Sequence, residues 1–317
     1  MDRNLAMEVV RVTEAAALAS ARFMGLGDDV AADMAAVEAM RRAFDAIAID
    51  GTVVIGEGPE DAMPMLYTDE RVGTGQGPKT DVVLDALEGA GSCATGGYNS
   101  LAVIAIAEHG SFLRVPDTYM EKIACGPEGK GVIDLDRSPT DNLHQLAEAK
   151  GVYVEDLTVV ILDRPRHHKL IEEVRGAGAR IKLISDGDVT GALATTRSAA
   201  GLDIMMGVGR APQGILAAAA LRCLGGEMQA RLKPRNEGDA AALRELGLYD
   251  VRKKYTLEEL ASGSVTFAAT AVTHGDYLPG VRYVRGGAIT HSVVMRSATA
   301  TVRFIEAHHR FDRHPQY

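Results

Sequence analysis

The chain has 317 residues, of which 46% are hydrophobic and 24% are charged, and its formal net charge is −9. This composition is typical of a globular protein long enough for two packed units, and it excludes fibrous and disordered chains. The negative charge disfavours nucleic acid as a partner, because phosphate backbones need a clustered basic face. An acidic protein can still bind sugar phosphates where its basic groups are local.

Two features predict a cytoplasmic location and no membrane partner. The first residues, MDRNLAMEVVRV, lack the apolar core of a secretory signal, and the apolar runs are too short to span a bilayer. The three cysteines, Cys93, Cys125 and Cys223, are odd in number and widely separated. That spacing argues against a disulfide framework and against a zinc site, so reduced thiols are expected.

The first half is predicted to form an α+β unit over residues 1–150. Two alanine-rich stretches, 5–25 and 28–48, carry apolar residues at three- and four-residue intervals and predict helices. Four strand-like runs follow, separated by turns rich in glycine and aspartate. Their sequences are GTVVIGEG, DVVLDALEG, SLAVIAIAEHG and GVIDLD. Helices followed by strands indicate α+β layering.

From residue 151 strands alternate with helices, which predicts a second, α/β unit over 151–317. TVVILD, RIKLIS and LDIMMGVG are interpreted as strands, each followed by a helical stretch. Such alternation implies a parallel sheet whose strand ends share one edge, and the loops expected there are DRPRHH, SDGD and GRAPQG. The tail from residue 264 predicts antiparallel strands added at an edge. The fold class is therefore α/β.

Acidic residues beside glycines suggest a divalent-metal site in the first unit. Asp85 and Glu88 stand three apart at the end of a predicted strand, and Glu57 follows another strand between two glycines. Carboxylates so placed suit Mg²⁺ or Mn²⁺. The alternative interpretation is that each acid is a solvated turn residue. Asp33, in a predicted helix, and Asp61, at a predicted turn, are weaker candidates taken alone.

The second unit offers groups suited to a sugar phosphate. Arg164 and Arg166 flank Pro165 at a strand end, where two guanidiniums suit a phosphate; the alternative is a basic helix start with surface charge. The DGD turn at 186–188 offers acceptors for sugar hydroxyls, or its last aspartate caps the next helix. Tyr119 is either a ligand contact or a buried aromatic with a satisfied hydroxyl.

Seven stretches run through nearly the whole chain in the order of a known family: RVTEAAALASA, IDGTVVIGEG, MPMLY, VGTGQGP, PDTYMEKIACGPEGKGVIDLD, DRPRHHKLI and LISDGDV. In them the chain resembles the class II, GlpX-type fructose-1,6-bisphosphatases of the lithium-sensitive phosphatase superfamily. The resemblance implies two α/β-layered lobes with a metal site between them. It implies hydrolysis of the 1-phosphate of fructose 1,6-bisphosphate in gluconeogenesis, with sedoheptulose 1,7-bisphosphate accepted by some relatives. A Mn²⁺ or Mg²⁺ cofactor and a homo-oligomer, dimer or tetramer, are implied as well.

The resemblance also implies roles position by position. Metal ligands are implied at Asp33, Glu57, Asp85, Glu88 and, in weakened form, Gln213. Glu57 and Asp61 are implied as catalytic acids, with Asp61 assisting the attacking water. Sugar-phosphate contacts are implied at Glu88, Gly89, Ala90, Tyr119, Arg164, Pro165, Arg166, Asp186, Gly187, Asp188 and Arg210.

The chain departs from the family pattern around this chemistry. The family signature Asp-Pro-x-Glu-Gly-Thr reads DALEGA here, so Ala86 replaces a proline and Ala90 replaces a threonine hydroxyl that would orient water or phosphate. Pro59 stands where the family has an acid. In the loop GRAPQG, Arg210 replaces a glycine and Gln213 replaces a metal-binding glutamate.

These departures leave three hypotheses. The departures at positions 59, 210 and 213 together make the expected active site more positive by about three formal charges, which should weaken the binding of at least one metal ion. The first hypothesis is an active, metal-dependent sugar bisphosphatase. The second is a catalytically impaired paralogue that binds a sugar phosphate in a sensing or structural role. The third is that Arg210 selects a different anionic substrate.

Overall fold

The computed structural model describes residues 5–311 and divides the chain into two compact units. Unit 1 is Met1–Phe112 with Gly263–Tyr317, of which 5–112 and 263–311 are described, and unit 2 is Leu113–Ser262. The division therefore falls at other places than the predicted boundary at residue 150. The tail belongs to unit 1 because its first strand pairs with a strand of the first half, Thr266 lying opposite Ile106.

The described residues form nine α-helices and fourteen strands. The helices are α1 Leu5–Ser20, α2 Asp29–Phe44, α3 Ala90–Thr95, α4 Pro139–Lys150, α5 His168–Gly176, α6 Asp188–Ala194, α7 Ala211–Leu224, α8 Glu237–Glu245 and α9 Leu257–Leu260. The first seven strands are β1 Asp50–Ile55, β2 Arg71–Val72, β3 Lys79–Glu88, β4 Leu101–Glu108, β5 Tyr119–Cys125, β6 Thr158–Leu162 and β7 Arg180–Ile184. The others are β8 Ile204–Arg210, β9 Glu227–Lys233, β10 Tyr255–Thr256, β11 Thr266–Ala271, β12 Arg282–Val284, β13 Gly287–Arg296 and β14 Thr301–Arg310.

The two predicted N-terminal helices are present as α1 and α2, and both end earlier than the periodicity predicted. Two glycines lie between them in left-handed backbone, Gly25 at φ 74° and Gly27 at φ 79°, which ends the first helical run. Asp28 then caps α2, since its Oδ1 accepts the Ala31 N–H at 2.8 Å.

Unit 1 is built on an eight-stranded mixed sheet. Its strand order is β12-β13-β11-β4-β3-β1-β2, and β14 pairs with β13. α1 and α2 share a core with this sheet through fully buried side chains such as Met40, Phe44 and Ile104. β1 and β3 run parallel, so their carboxyl ends leave the sheet at the same edge. That edge carries the acids identified in the sequence.

Unit 2 is built on a six-stranded sheet of order β10-β9-β5-β8-β6-β7. The three strands predicted from the strand-helix alternation, β6, β7 and β8, pair in parallel. β5 pairs antiparallel with both β8 and β9, and β9 pairs antiparallel with β10, so the sheet is mixed rather than wholly parallel. The carboxyl ends of β6, β7 and β8 and the start of β5 consequently lie at one edge.

The predicted strand GVIDLD is wrong, because residues 131–136 form turns. Two of their backbone N–H groups bond to side chains instead of to a neighbouring strand. The Asp134 N–H donates to Asn142 Oδ1 at 2.8 Å, and the Leu135 N–H donates to Gln229 Oε1 at 2.9 Å. These bonds satisfy the backbone locally and leave no ladder for a strand.

Across residues 5–311, every helix falls short of the length and apolar character that a membrane crossing demands. Cys93, Cys125 and Cys223 are buried free thiols.

Candidate active site

The first group of candidate residues lies where β1 leaves the sheet of unit 1. Ile55 pairs with Val83 of the parallel strand β3, and Glu57 follows two residues later. The turn requires glycine at position 56, because a Cβ there would lie 2.0 Å from the Leu66 carbonyl oxygen. The Glu57 N–H donates to the same carbonyl at 3.0 Å. These contacts fix the backbone that carries the Glu57 carboxylate.

A β-bulge shapes the neighbouring strand end. Asp85 pairs with Val103 while Glu88 pairs with Leu101, so one extra residue lies on the β3 side. Within this bulge the Ala86 N–H is not used by the ladder and donates to Glu57 Oε1 at 2.7 Å. The bulge therefore joins the end of β1 to the end of β3 through the Glu57 carboxylate.

The chain turns sharply after Glu88, whose side chain is buried. Gly89 adopts φ 84°, and its carbonyl accepts the Ser100 hydroxyl at 2.7 Å. Ala90 begins the six-residue helix α3 directly afterwards. A half-buried Asp85 and a buried Glu88 thus flank the bulge, with Gly89 and Ala90 at the turn that follows.

The two weaker candidates lie on other elements of unit 1. Asp33 is half-buried on α2, and burial raises the pKa of its carboxyl, with a further rise from the negative charge of Asp29. Asp61 is exposed in a turn that begins at Pro59, whose carbonyl accepts the Ala62 N–H at 3.0 Å.

The candidate acids do not form a closed metal cage. Between residues 5 and 311, no three histidine, cysteine, aspartate or glutamate side chains come together as a group that could hold a metal ion. The donor chemistry of unit 1 nevertheless fits a hard divalent cation, because each candidate ligand there is a carboxylate and Glu57 is already oriented toward the end of β3.

The second group of candidate residues lies at the edge of unit 2 where β6, β7 and β8 end. Tyr119, the first residue of β5, pairs with Arg210, the last residue of β8. The Arg164–Arg166 and Asp186–Asp188 turns follow β6 and β7 at the same edge. We call this set the basic edge: Tyr119, 164–166, 186–188 and Arg210. The structure brings these predicted contacts to one side of one sheet.

Both arginines after β6 are anchored to neighbouring strand ends. Arg164 donates from Nη2 to the Ser185 carbonyl at 2.7 Å, and Arg166 donates from Nε to the Val208 carbonyl at 2.9 Å. Pro165 lies between them in a single 3₁₀ turn, and helix α5 follows. A guanidinium has five N–H donors, so each side chain keeps donors for an anion.

Two guanidiniums contact the half-buried ring of Tyr119. The Arg166 Cζ lies 4.8 Å from the ring centroid and the Arg235 Cζ lies 5.1 Å from it. Arg235 is held by Asp239, with its Nε 2.8 Å from Oδ2, and this guanidinium keeps the pKa of Asp239 far below its usual value. Thr118 donates its hydroxyl to the same carboxylate at 2.8 Å.

The two aspartates of the 186–188 turn differ in environment. Burial raises the pKa of Asp186; Asp188 adds to the rise, while Arg164 and Arg210 oppose it. Gly187, at φ 93°, occupies the cap position of α6, so Asp188 is the first helical residue and not its cap. The Asp188 carboxylate is instead bonded to the buried ammonium of Lys122.

The two substituted positions of the last loop lie around the start of α7. The Arg210 side chain is exposed, and its Nε is 3.6 Å from the Asp117 carboxylate. Gln213 is half-buried in the first turn of the helix. Its amide oxygen is a poorer ligand for a hard cation than a carboxylate.

Sequence reasoning missed four polar residues that shape the basic edge: Lys122, His167, Arg235 and Asp239. His167 is buried; its Nδ1 lies 2.7 Å from the Leu162 carbonyl and its Nε2 accepts the Val208 N–H at 2.8 Å. Burial lowers its pKa, and the neutral ring links β6 to β8. Of these residues, Arg235 and Asp239 could have been found from the sequence, because a basic and an acidic residue four positions apart at the start of a helix can form an ion pair.

Comparison with known proteins adds a family match. The model of the family described as bacterial fructose-1,6-bisphosphatase, glpX-encoded, matches residues 3–309. The D-fructose 1,6-bisphosphatase class 2/sedoheptulose 1,7-bisphosphatase of Synechococcus sp. (strain JA-3-3Ab) is 44% identical over an alignment of 337 positions, gaps included, which covers 98% of this chain and 97% of the relative. The protein of the same name from Microcystis aeruginosa (strain NIES-843 / IAM M-2473) is 42% identical, covering 100% of this chain and 99% of the relative.

Proposed function

The chain belongs to the bacterial, glpX-encoded fructose-1,6-bisphosphatase family, and on this premise we propose that it hydrolyses the 1-phosphate of fructose 1,6-bisphosphate to fructose 6-phosphate and inorganic phosphate. The observation that carries the proposal is the parallel pairing of β1 with β3, which brings the end of β1 that precedes Glu57 to the end of β3 that bears Asp85 and Glu88. The names of the relatives support sedoheptulose 1,7-bisphosphate as a second substrate. They name enzymes, which favours catalysis over a purely binding role.

Phosphatases of this family depend on metal ions, and Mn²⁺ or Mg²⁺ is the proposed cofactor. The residues of unit 1 that would hold it are Asp33, Glu57, Asp85 and Glu88. When bound, such a cation polarises phosphoryl oxygens and lowers the pKa of a coordinated water.

The residues of the chain itself supply positioning and proton transfer. Arg164 and Arg166 donate to a phosphate of the substrate, and both begin from carbonyl-anchored positions that limit the entropy lost on binding. The aspartates of the 186–188 turn accept sugar hydroxyls. The ring of Tyr119 stacks against the Arg166 guanidinium and helps to keep it in place. In unit 1, the exposed Asp61 accepts a proton from the attacking water.

The remaining proposals concern context. The substrate class is a sugar bisphosphate, the pathway is gluconeogenesis, and the assembly is a homo-oligomer, dimer or tetramer. Location in the cytoplasm is supported by three buried free cysteines, because reduced thiols are usual in that compartment.

An assay that identifies the product tests the proposal. Fructose 6-phosphate formed from fructose 1,6-bisphosphate is detected by coupling to glucose-6-phosphate isomerase and glucose-6-phosphate dehydrogenase, with Mn²⁺ or Mg²⁺ and with a chelator as control. We expect metal-dependent NADPH formation. Release of phosphate with fructose 1-phosphate as the sugar product would contradict the proposed regiochemistry.

A further inference from the structure

Lys122 is a buried cation beneath the basic edge, and none of the roles considered above includes it. Its side chain is 2% exposed, and its ammonium bonds Asp188 Oδ2. The same Nζ donates to the Arg210 carbonyl at 3.0 Å. One side chain from β5 thus joins the turn after β7 to the last residue of β8.

The backbone around the pair leaves room for this arrangement only because position 209 is glycine. A Cβ on Gly209 would lie 2.0 Å from Asp188 Oδ2 and 2.8 Å from Lys122 Nζ. Both distances are shorter than van der Waals contact allows, so any side chain there would force the carboxylate and the ammonium apart.

The ion pair between Lys122 and Asp188 fixes which oxygen of the carboxylate remains available as an acceptor. Asp188 is buried beside Asp186, whose pKa is raised first by burial and further by the negative charge of Asp188. A buried carboxylate stays ionised and oriented when a cation bonds it directly. Lys122 occupies one oxygen of Asp188 and leaves the other with acceptor capacity.

We propose that Lys122 is a positioning residue for substrate: it holds the Asp188 carboxylate in place and fixes the 186–188 turn relative to Arg210, so that the carboxylate accepts a sugar hydroxyl. This inference rests on the proposed function, because it assigns the residue that prepares the sugar-binding groups. Lys122 acts through Asp188 and does not itself touch the reacting phosphate.

The test compares Lys122→Met with Lys150→Met in the full-length protein. Lys150 forms a matched lysine–aspartate pair in the same unit, 2.6 Å from Asp203, whose other oxygen accepts the Thr158 N–H at the start of β6. That pair therefore lies at the opposite edge of the sheet. For Lys122→Met we expect KM for fructose 1,6-bisphosphate to rise at least about tenfold and kcat to change less than about threefold, with KM of Lys150→Met within about twofold of wild type.

Coupling between the two residues gives a readout that a purely structural role would not move. If Lys122 acts through Asp188, the double variant Lys122→Met with Asp188→Asn should have the KM of Asp188→Asn alone. Fructose 6-phosphate has no 1-phosphate to be hydrolysed, so calorimetry can measure its binding directly. Its affinities for the wild type and the variants should follow the same order as the KM values. The inference would be overturned if the rise in KM of the double variant equalled the product of the rises in the two single variants.

A second perturbation covers the case in which Lys122→Met does not fold. Gly209→Ala keeps both charges but separates them, and we expect it to raise KM in the same way. The inference would be overturned if a folded Gly209→Ala protein had the KM of wild type, or if Lys122→Met and Lys150→Met had equal KM values. In either case, turnover by the wild type would leave the proposed function intact. Absence of both turnover and fructose 6-phosphate binding in the wild type would instead contradict the proposed function.

Discussion

The Ala86 N–H donates to Glu57 Oε1 at 2.7 Å, at a position where the resemblance to the family implies a proline. Proline has no backbone N–H, so a chain with the family residue cannot form this bond. The substitution therefore acts on the carboxylate that is central to the proposed metal site. A donor at this distance withdraws negative charge from Glu57 and orients it, which makes the carboxylate a weaker ligand for a cation.

Replacing Ala86 by proline should strengthen metal binding. A hydrogen bond to a charged group is worth about 1.5 to 3 kcal/mol, and a part of that should return to the metal, giving about tenfold tighter Mn²⁺ binding. Calorimetric or electron paramagnetic resonance titration with Mn²⁺ measures the affinity. Ala86→Gly, which keeps the N–H, is the matched control and should resemble wild type. Equal affinities for the proline and glycine variants would show that the N–H does not weaken the site.

Asp239 should make the stability of the protein depend on pH. Its folded-state pKa is lowered, first by its bond to Arg235, so its stabilising contribution is complete above the unfolded-state pKa of about 3.9 and is lost as pH falls below that value. For Asp239→Asn we expect the free energy of unfolding to fall by about 1 to 2 kcal/mol at pH 7.

Urea denaturation of wild type and Asp239→Asn between pH 7 and pH 3 measures this effect. The difference between the two proteins should be constant near neutrality and should shrink below about pH 4. Glu245→Gln, which removes an exposed carboxylate from the same helix, serves as the control for loss of charge. A difference that persists unchanged at the acid end of the series would contradict the ion-pair explanation.

The thiols of Cys93 and Cys125 should be unreactive in the folded protein. Burial raises the pKa of Cys93 to about 11 and that of Cys125 to about 12, so little nucleophilic thiolate forms near neutrality. Ellman's reagent at pH 8 should modify neither residue before denaturant is added, as read by absorbance and peptide mapping. Rapid modification of either cysteine in native conditions would mean that its environment opens readily.

Local periodicity predicted the elements whose apolar residues recur at regular intervals. α1, α2 and the strands β6, β7 and β8 followed from apolar spacing and cap residues such as Asp28. β5 was missed because a buried lysine interrupts its apolar residues, and that lysine is accommodated by Asp188, which is distant in sequence. The position of the tail was missed for a similar reason, since the pairing of β11 with β4 depends on residues far apart in the chain.

The same limit applies to the site. Glu57 and Asp85 were candidates because they are carboxylates beside glycines at strand ends, and Arg164 was a candidate because loops at the carboxyl ends of parallel strands bind ligands. Ala86 contacts Glu57 through a backbone N–H, and Lys122 contacts Asp188 through a buried ion pair. Neither interaction has a signature in composition or spacing.

Phosphate release from fructose 1,6-bisphosphate at saturating Mn²⁺, compared between wild type and Glu57→Gln, tests the central claim most directly. Glu57→Gln keeps the size of the side chain and removes its charge. We predict sustained release by the wild type and a loss of at least about a hundredfold in the variant, the scale expected when a preorganised catalytic group is removed. Release by the wild type that is no faster than release by Glu57→Gln would contradict the account.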